Sequence, residues 1–261
     1  MDKKQIEKLA KDSRFISGIY NYCDRWCERC CFTQRCMNYA LCDNNDNPQS
    51  KDINNKAFWD KLGDIFKVTL EMIQESAEKL GIDITSADLK KIEEYEKNID
   101  KISREQPYSK AALNYSNMVR DWFNSNKQLL EEKANELLML AKADIPAAEP
   151  ADEAVNIGDC FDIIQWYQHQ IYIKLCRAAS GTLKGEFEEN EYSPQDVNGS
   201  AKVAIIGTEH SIGAWGKLLN HFPQQEDTIL NILVNLKKLL QQIEIAFPDA
   251  RSFTRPGFDE A

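Results

Sequence analysis

The sequence has no apolar run that approaches the ~20 residues needed for a membrane-spanning helix. Its first residues, Met1 to Glu7, contain no apolar segment of the kind found in signal peptides. These two absences predict a cytoplasmic protein with no membrane partner. In that compartment the thiol pool keeps cysteines reduced, so clustered cysteines are more often metal ligands than disulfides.

Basic residues are in short supply, with 32 Lys and Arg against 42 Asp and Glu and a net charge of -10. Binding to the phosphates of nucleic acid requires a cationic surface, so this balance argues against nucleic acid as the main partner. The charge is uneven along the chain. Residues 1–36 contain eight Lys and Arg and five Asp and Glu, which gives this segment a net charge of +3.

Several common catalytic motifs are also missing. The sequence has no Gly-x-Gly-x-x-Gly after a strand, no Gly-x4-Gly-Lys-Ser/Thr and no Gly-x-Ser-x-Gly. It has only three histidines, His169, His210 and His221, and none belongs to a Glu-x-x-His pair. Di-iron helical bundles use such pairs together with several carboxylates, so the sequence argues against a ferritin-like site of two metal ions.

Apolar residues recur at helical spacing along most of the chain, and no segment of useful length alternates in the manner of a strand. Proline and glycine mark helix ends at Gly81, Pro107 and Pro194. The pattern predicts an all-α fold, a multi-helix bundle of about seven helices with a cysteine-rich N-terminal segment. The predicted helices cover residues 2–30, 57–80, a charged stretch that ends near 104, 108–142, 157–179, 193–221 and 225–246.

The predicted organisation is one domain overall, in which two parts differ in character. Residues 1–56 form an N-terminal helix and a cysteine-rich metal-binding segment packed on the bundle, and residues 57–261 form the helical bundle. A Pro-containing stretch near 145–152 is a candidate boundary between subdomains. The tail after residue 247 is predicted to be irregular. The five tryptophans are predicted core anchors: Trp26, Trp59, Trp122, Trp166 and Trp215.

Six of the eight cysteines fall between residues 23 and 42. Cys23, Cys27 and Cys30 recur at i, i+4 and i+7, so a helix would place them on one face. Cys36 can return from the next turn as a fourth thiol. On a continuous helix Cys31 would point about 100° away from Cys30, and Cys42 lies beyond; whether either is a ligand stays open. The predicted metal ligands are Cys23, Cys27, Cys30 and Cys36.

Three chemistries compete for these thiols. A [4Fe-4S] iron–sulfur cluster is favoured, because three ligands within eight residues suit a compact cluster. Structural zinc, held by four thiolates, is the alternative. The third possibility is packing or redox thiols without metal. Nearby arginines at 25, 29 and 35 lower thiol pKa values and partly offset an anionic cluster.

The functional prediction follows from the favoured cofactor. We expect a metal-binding helical protein whose iron–sulfur cluster serves electron transfer or a redox activity of undefined substrate, together with a redox or protein partner. The alternative is a zinc-stabilised helical scaffold or protein-interaction module without catalysis. Cys-x3-Cys-x2-Cys is also the cluster motif of radical S-adenosylmethionine enzymes, but the alternating strands of their β/α barrel are missing here.

A second candidate region lies in the C-terminal half. Gln165, His169, Tyr172 and Cys176 share a helical face, and small residues form a heptad stripe on the following helix: Ser200, Ala204, Gly207, Ser211 and Ala214. Either the aromatic helix fills the space along this stripe or a ligand does, and packing is favoured because protein interiors contain few voids. The sequence leaves open whether His169, Glu209 and His210 form a functional pocket or a buried polar cluster. Cys160 and Cys176 are predicted to be small buried hydrophobic residues.

The run Cys-Asp-Arg-Trp-Cys-Glu-Arg-Cys from residue 23, with Asn-Gly-Ser-Ala-Lys-Val-Ala from residue 198, resembles a family of uncharacterised helical bacterial proteins. In that family proline is usual at the position of Cys31, and Asp-Arg at the positions of Glu209 and His210. The resemblance therefore implies that Cys31 is not a ligand and that His210 is not essential for catalysis. A weaker likeness, over about twenty residues, links the cysteine run to cysteine-rich proteins described as zinc or iron chelators.

Overall fold

A computed structural model describes residues 3–43, 54–81, 89–143, 149–185 and 193–259. Within these ranges the chain forms nine α-helices and no strand. Seven of the helices have 17 or more residues, which confirms the predicted all-α class and the number of main helices. The helices are α1 (Lys3–Ala10), α2 (Met37–Asp43), α3 (Lys56–Leu80), α4 (Leu89–Glu105), α5 (Pro107–Ser125), α6 (Lys127–Ala143), α7 (Pro150–Gly185), α8 (Ser193–His221) and α9 (Glu226–Ala246).

The chain divides into two compact units, one of Met1–Tyr95 with Arg255–Ala261 and one of Glu96–Thr254. The boundary predicted after residue 56 and the subdomain boundary near 145–152 remain predictions. Residues 145–148 of the latter, and most of the loop predicted over 43–56, lie outside the described residues. None of the helices within the described ranges combines the length and apolar character that crossing a lipid bilayer requires.

The core of the second unit is aromatic. Trp215 and Tyr115 are almost completely buried, and the indole Nε1 of Trp215 donates a hydrogen bond to the Tyr115 hydroxyl oxygen over 3.2 Å. Trp122 meets Trp215 edge to face, with ring centroids 5.1 Å apart. Burial away from water raises the pKa of Tyr115 to about 12, so this hydroxyl stays protonated at neutral pH.

Two of the five tryptophans, Trp122 and Trp215, are the buried anchors that the sequence predicts. Trp59 is 55% exposed, so its prediction as a core residue is wrong. It lies near the start of α3, whose apolar stripe includes exposed residues such as Phe66 and Leu70. Helical periodicity identifies which residues share a face, but it does not show that another element covers that face.

The helix predicted over residues 108–142 is two helices in the structure. Asn126 separates α5 from α6, and its backbone N–H and its side-chain Nδ2 both donate to the carbonyl oxygen of Trp122, at 3.1 and 2.8 Å. Asparagine competes in this way with regular helical hydrogen bonding. The tail after Phe247 forms turns without a helix as far as residue 259, as the sequence predicts.

The helix predicted over residues 2–30 is wrong beyond its first turns. Helix α1 ends at Ala10, and the chain then forms turns and short 3₁₀ segments as far as Cys36. The Asp12 carboxylate accepts a hydrogen bond from the backbone N–H of Arg14 at 3.0 Å, and Gly18 adopts a left-handed φ of 74°. Both features offer the backbone a non-helical path that the apolar stripe does not reveal.

Candidate metal centre

The four cysteines predicted as ligands surround one small cavity in the first unit. Its volume is about 20 Å³, and Cys23, Cys27, Cys30 and Cys36 all line it. The remaining wall consists of Ile19, Tyr20, Asp24, Arg25, Trp26, Phe32, Thr33, Tyr39 and Phe258. A volume of about this size accepts roughly one water-sized atom. The structure therefore brings these four side chains together, although not on a helix.

Two 3₁₀ turns hold three of the thiols in place. The first turn, Cys27–Arg29, ends where the backbone N–H of Cys30 donates to the Cys27 carbonyl oxygen at 3.2 Å. The second turn, Thr33–Arg35, ends in the same way at Cys36, which bonds to Thr33 at 3.2 Å. A 3₁₀-helix has three residues per turn, and this geometry fixes the direction in which the residues at its two ends project. Each turn thus places a cysteine at its end, next to the cavity.

The backbone between Cys23 and Cys27 has an unusual conformation at Arg25. The Asp24 carboxylate accepts a hydrogen bond from the backbone N–H of Trp26 at 3.1 Å, and Arg25 between them has a φ of 59°. Arg25 is the one non-glycine residue with a positive φ among the described residues. The left-handed region is unfavourable for a residue with a Cβ atom. This conformation is therefore imposed by the surroundings of Arg25, in the segment that joins Cys23 to the first turn.

The thiols differ in their hydrogen bonds and in their tendency to ionise. The backbone N–H of Phe32 donates to Cys30 Sγ at 3.4 Å, and Cys23 Sγ donates to the Tyr20 carbonyl oxygen at 3.6 Å. Burial raises the pKa of Cys27, and the negative charge that Cys23 and Cys36 carry when ionised raises it further. Burial also raises the pKa of Cys30, which the Phe32 hydrogen bond opposes. Without a cation the two thiols stay protonated at neutral pH.

The arginines around the cysteines are exposed to solvent. The guanidinium of Arg29 lies over the Trp26 ring, 4.0 Å from its centroid, in a cation–π contact. Arg25 and Arg35 are also exposed at the surface of this segment. Their charges favour anionic sulfur nearby.

The other cysteines lie outside the cavity. Cys31 is exposed and does not line it. The Cys42 side chain lies outside the described residues. Cys160 is 1% exposed, which confirms its prediction as a small buried residue, whereas Cys176 is only half-buried. The side chain of Cys176 interacts with the Tyr172 hydroxyl.

Sharing a cavity does not bring the thiols to bonding distance of a common point. Within the described ranges, no three His, Cys, Asp or Glu side chains form a group that could hold a metal ion as they stand. A tetrahedral zinc ion, with Zn–S bonds of about 2.3 Å, requires its sulfurs to lie about 3.8 Å apart. The residue types therefore suit a thiolate-bound metal centre, but binding one requires the side chains to move.

The sequence contains no signal for the contacts of two residues in the C-terminal tail. Phe258, from the C-terminal tail, lines it and meets the Phe32 ring edge to face at 5.0 Å between centroids. Gly257 has a φ of 77°, and a Cβ atom there would lie 2.8 Å from Ile16 Cδ1 and 3.1 Å from Ile19 Cδ1. The tail thus lies against the segment that carries the cysteines. About 230 residues of sequence separate the tail from this segment. No local sequence pattern predicts such a contact.

Comparison of the chain with protein-family models, with curated proteins and with solved structures finds no match. The resemblance to the cysteine-motif family of helical bacterial proteins therefore remains a prediction, and functional arguments depend on the site itself.

Three polar residues that the sequence singles out in the C-terminal half lie at the surface. His169, Glu209 and His210 are all exposed, so the alternative of a buried polar cluster is wrong. Their contacts differ as well. His169 Nδ1 lies 3.0 Å from Ser116 Oγ, Glu209 forms an ion pair with Arg251 at 2.8 Å, and the His210 ring meets Tyr167 edge to face.

The small-residue stripe of α8 is filled by protein. Ser200, Ala204, Gly207, Ser211 and Ala214 are buried. A Cβ atom added to Gly207 would lie 2.8 Å from Tyr167 Cδ1 and 3.2 Å from Ile171 Cγ1. This close approach of α7 confirms the prediction of tight helix packing at Gly207.

Proposed function

We propose that this chain is a metal-binding helical protein in which Cys23, Cys27, Cys30 and Cys36 hold one metal centre. The single observation that carries the proposal is the placement of all four thiols around one cavity while Cys31, directly adjacent to Cys30, is exposed. Four thiolates are the ligand set of both iron–sulfur clusters and structural zinc. We place this activity in the cytoplasm, where thiols stay reduced and available as ligands.

An iron–sulfur cluster is the first candidate, because the thiols share a cavity without converging at the distances of a single ion. A four-iron cluster separates its four cysteine ligands with its own iron and sulfide atoms. When bound, it would supply one-electron transfer to a redox partner. The Phe32 N–H would then continue to donate to the Cys30 sulfur, and hydrogen bonds to cluster sulfurs are among the factors that set a reduction potential.

Zinc is the second candidate, favoured by the small volume of the cavity. A space of about 20 Å³ is enough for one atom, and a cluster would have to displace the surrounding side chains. A zinc ion would instead draw the four thiols inward. It would act as a structural link across the turns of residues 23–36, and the protein would be a scaffold or interaction module without catalysis.

Anaerobic purification followed by metal analysis and an absorbance spectrum tests the proposal. The first candidate predicts iron and acid-labile sulfide in the protein, with a broad absorbance at about 400 nm that reduction bleaches. A colourless protein with one zinc per chain would contradict the cluster and support the second candidate. A protein that binds neither metal after reconstitution with iron and sulfide, or with zinc, would contradict both.

A further inference from the structure

The first unit contains a second concavity next to the cysteine cavity. It is an open groove of about 660 Å³, within the range of roughly 300–1,000 Å³ typical of small-molecule sites. Thr33 and Tyr39 line both the groove and the cysteine cavity. The groove is lined by Leu9, Ser13, Arg14, Phe15, Thr33, Gln34, Arg35, Tyr39 and Ala40.

The groove is built from two chain segments joined by a backbone hydrogen bond. The N–H of Ile16 donates to the carbonyl oxygen of Arg35 at 3.0 Å. This bond connects the segment after α1, which supplies Arg14, to the 3₁₀ turn Thr33–Arg35. Two arginines that lie about twenty positions apart in sequence are thereby brought to one concavity.

The charges in the groove are of one sign. Arg14 and Arg35 line it, and no carboxylate does so among the residues that the structure describes there. Arg14 is held in a two-point ion pair with Asp12: its Nε lies 3.1 and 3.0 Å from the two carboxylate oxygens, and its Nη2 donates to Oδ2 over 2.7 Å. Asp12 therefore offsets the charge of Arg14, and Arg35 supplies the uncompensated positive charge of the groove. Arg35 is exposed and has no ion pair within the described parts of the chain. In a protein with a net charge of -10, this groove is a local site of positive potential.

The other lining residues suit an organic ligand better than a bare inorganic ion. Phe15 and Tyr39 contribute aromatic side chains that are half-buried, and such rings stack on planar groups. Ser13, Thr33 and Gln34 add hydroxyl and amide groups that donate and accept hydrogen bonds. An arginine fork binds phosphate oxygens in a bidentate manner.

We propose that this groove binds a small anionic ligand that carries a planar ring, of the nucleotide class, with its phosphate on Arg35. The aromatic side chains take the ring, and the polar side chains take the sugar or its equivalent. The proposal goes beyond the metal centre and does not depend on it, because none of the four metal-ligand candidates lines the groove.

Titration calorimetry on the full chain with ATP as the probe tests this inference, with adenosine and pyrophosphate as partial ligands. We expect ATP to bind and both partial ligands to bind at least tenfold more weakly. Arg35→Gln should weaken ATP binding by roughly tenfold or more, since it removes a charged hydrogen-bond donor. Arg35→Lys, which keeps the charge but loses the fork, should give an intermediate loss. It also serves as the test if Arg35→Gln does not fold.

Arg29→Gln is the matched control. Arg29 is another exposed arginine of the same segment, and it lines neither the groove nor the cysteine cavity. We expect its ATP affinity to stay within twofold of the unmodified protein. Absence of ATP binding, an unchanged affinity in Arg35→Gln or an equal loss in Arg29→Gln would overturn the proposal. Pyrophosphate binding as tight as ATP would overturn the assignment of a planar ring.

Discussion

The ring of Phe258 lies edge-on against the ring of Phe32, with their centroids 5.0 Å apart, and both side chains line the cysteine cavity. Arg255 extends this contact, since its guanidinium lies 4.9 Å from the Phe258 centroid and forms an ion pair with Asp259. The C-terminal tail therefore forms one wall of the cavity, although it lies far from the cysteines in sequence.

Removing that wall should expose the thiols. We expect Phe258→Ala to increase the rate at which a thiol reagent modifies Cys27 and Cys30 in the metal-free protein by severalfold, because the half-buried ring covers one side of the cavity. Site-resolved mass spectrometry of alkylated protein measures each rate. Cys31 is exposed and provides the internal reference. Phe258→Leu is the control and should retain most of the protection; equal rates in the unmodified protein and Phe258→Ala would contradict this role.

The packing of α7 on α8 predicts a strong effect at Gly207. Replacement by leucine places side-chain atoms where Tyr167 and Ile171 already lie, so it should lower the free energy of unfolding by roughly 1–3 kcal/mol or more. Denaturant unfolding measures the change. Gly213→Ala on the same helix is the control, because a Cβ atom there has open space and alanine favours the helix by about 1 kcal/mol. Unfolding free energies that fall equally in the two variants would refute the packing account.

The ion pairs of Glu153 predict a pH-dependent contribution to stability. A hydrogen bond from Lys133, at 2.9 Å, and then the contact with His221 hold the pKa of Glu153 below its usual value near 4.5. A carboxyl group whose pKa is lowered in the folded state stabilises the protein above its unfolded-state pKa. This contribution is lost as the pH falls through the folded-state pKa.

We therefore expect Glu153→Gln to be less stable than the unmodified protein at pH 7, by up to about 1 kcal/mol for a partly exposed pair. The difference should shrink towards zero below about pH 4. Urea unfolding across this pH range measures it. Glu136→Gln is the control, because Glu136 pairs with the same lysine but is more exposed, and it should have a smaller effect. A difference that persists unchanged at pH 3 would contradict the assignment.

The sequence predicts the grouping of the four cysteines, but through an incorrect local structure. Spacing of i, i+4 and i+7 implies one face of a helix, whereas the chain forms 3₁₀ turns and has a left-handed residue at Arg25. Both geometries are compact enough to gather residues 23–36. The exposure of Cys31 is compatible with either. The spacing of the cysteines therefore predicts that they lie close together, but it does not predict the secondary structure that brings them together.

Long-range features could not be predicted from the sequence. The residues on either side of Phe258 in sequence do not predict its contact with Phe32, because they are unrelated to that distant partner. Helical periodicity also does not predict the exposure of His169, Glu209 and His210. It shows which residues share a helix face, but not whether another element covers that face. The contact at Gly207 was predictable, since a stripe of small residues next to an aromatic helix leaves a space that protein interiors fill.

The metal content of two serine variants, Cys36→Ser and Cys31→Ser, shows which cysteines are ligands. Both remove one thiol from the same segment, but only Cys36 lines the cavity. After identical anaerobic purification and reconstitution, the account predicts a large loss of bound metal in Cys36→Ser and near-complete retention in Cys31→Ser. Full occupancy in Cys36→Ser, with loss in Cys31→Ser, would contradict the assignment of Cys23, Cys27, Cys30 and Cys36 as the ligands.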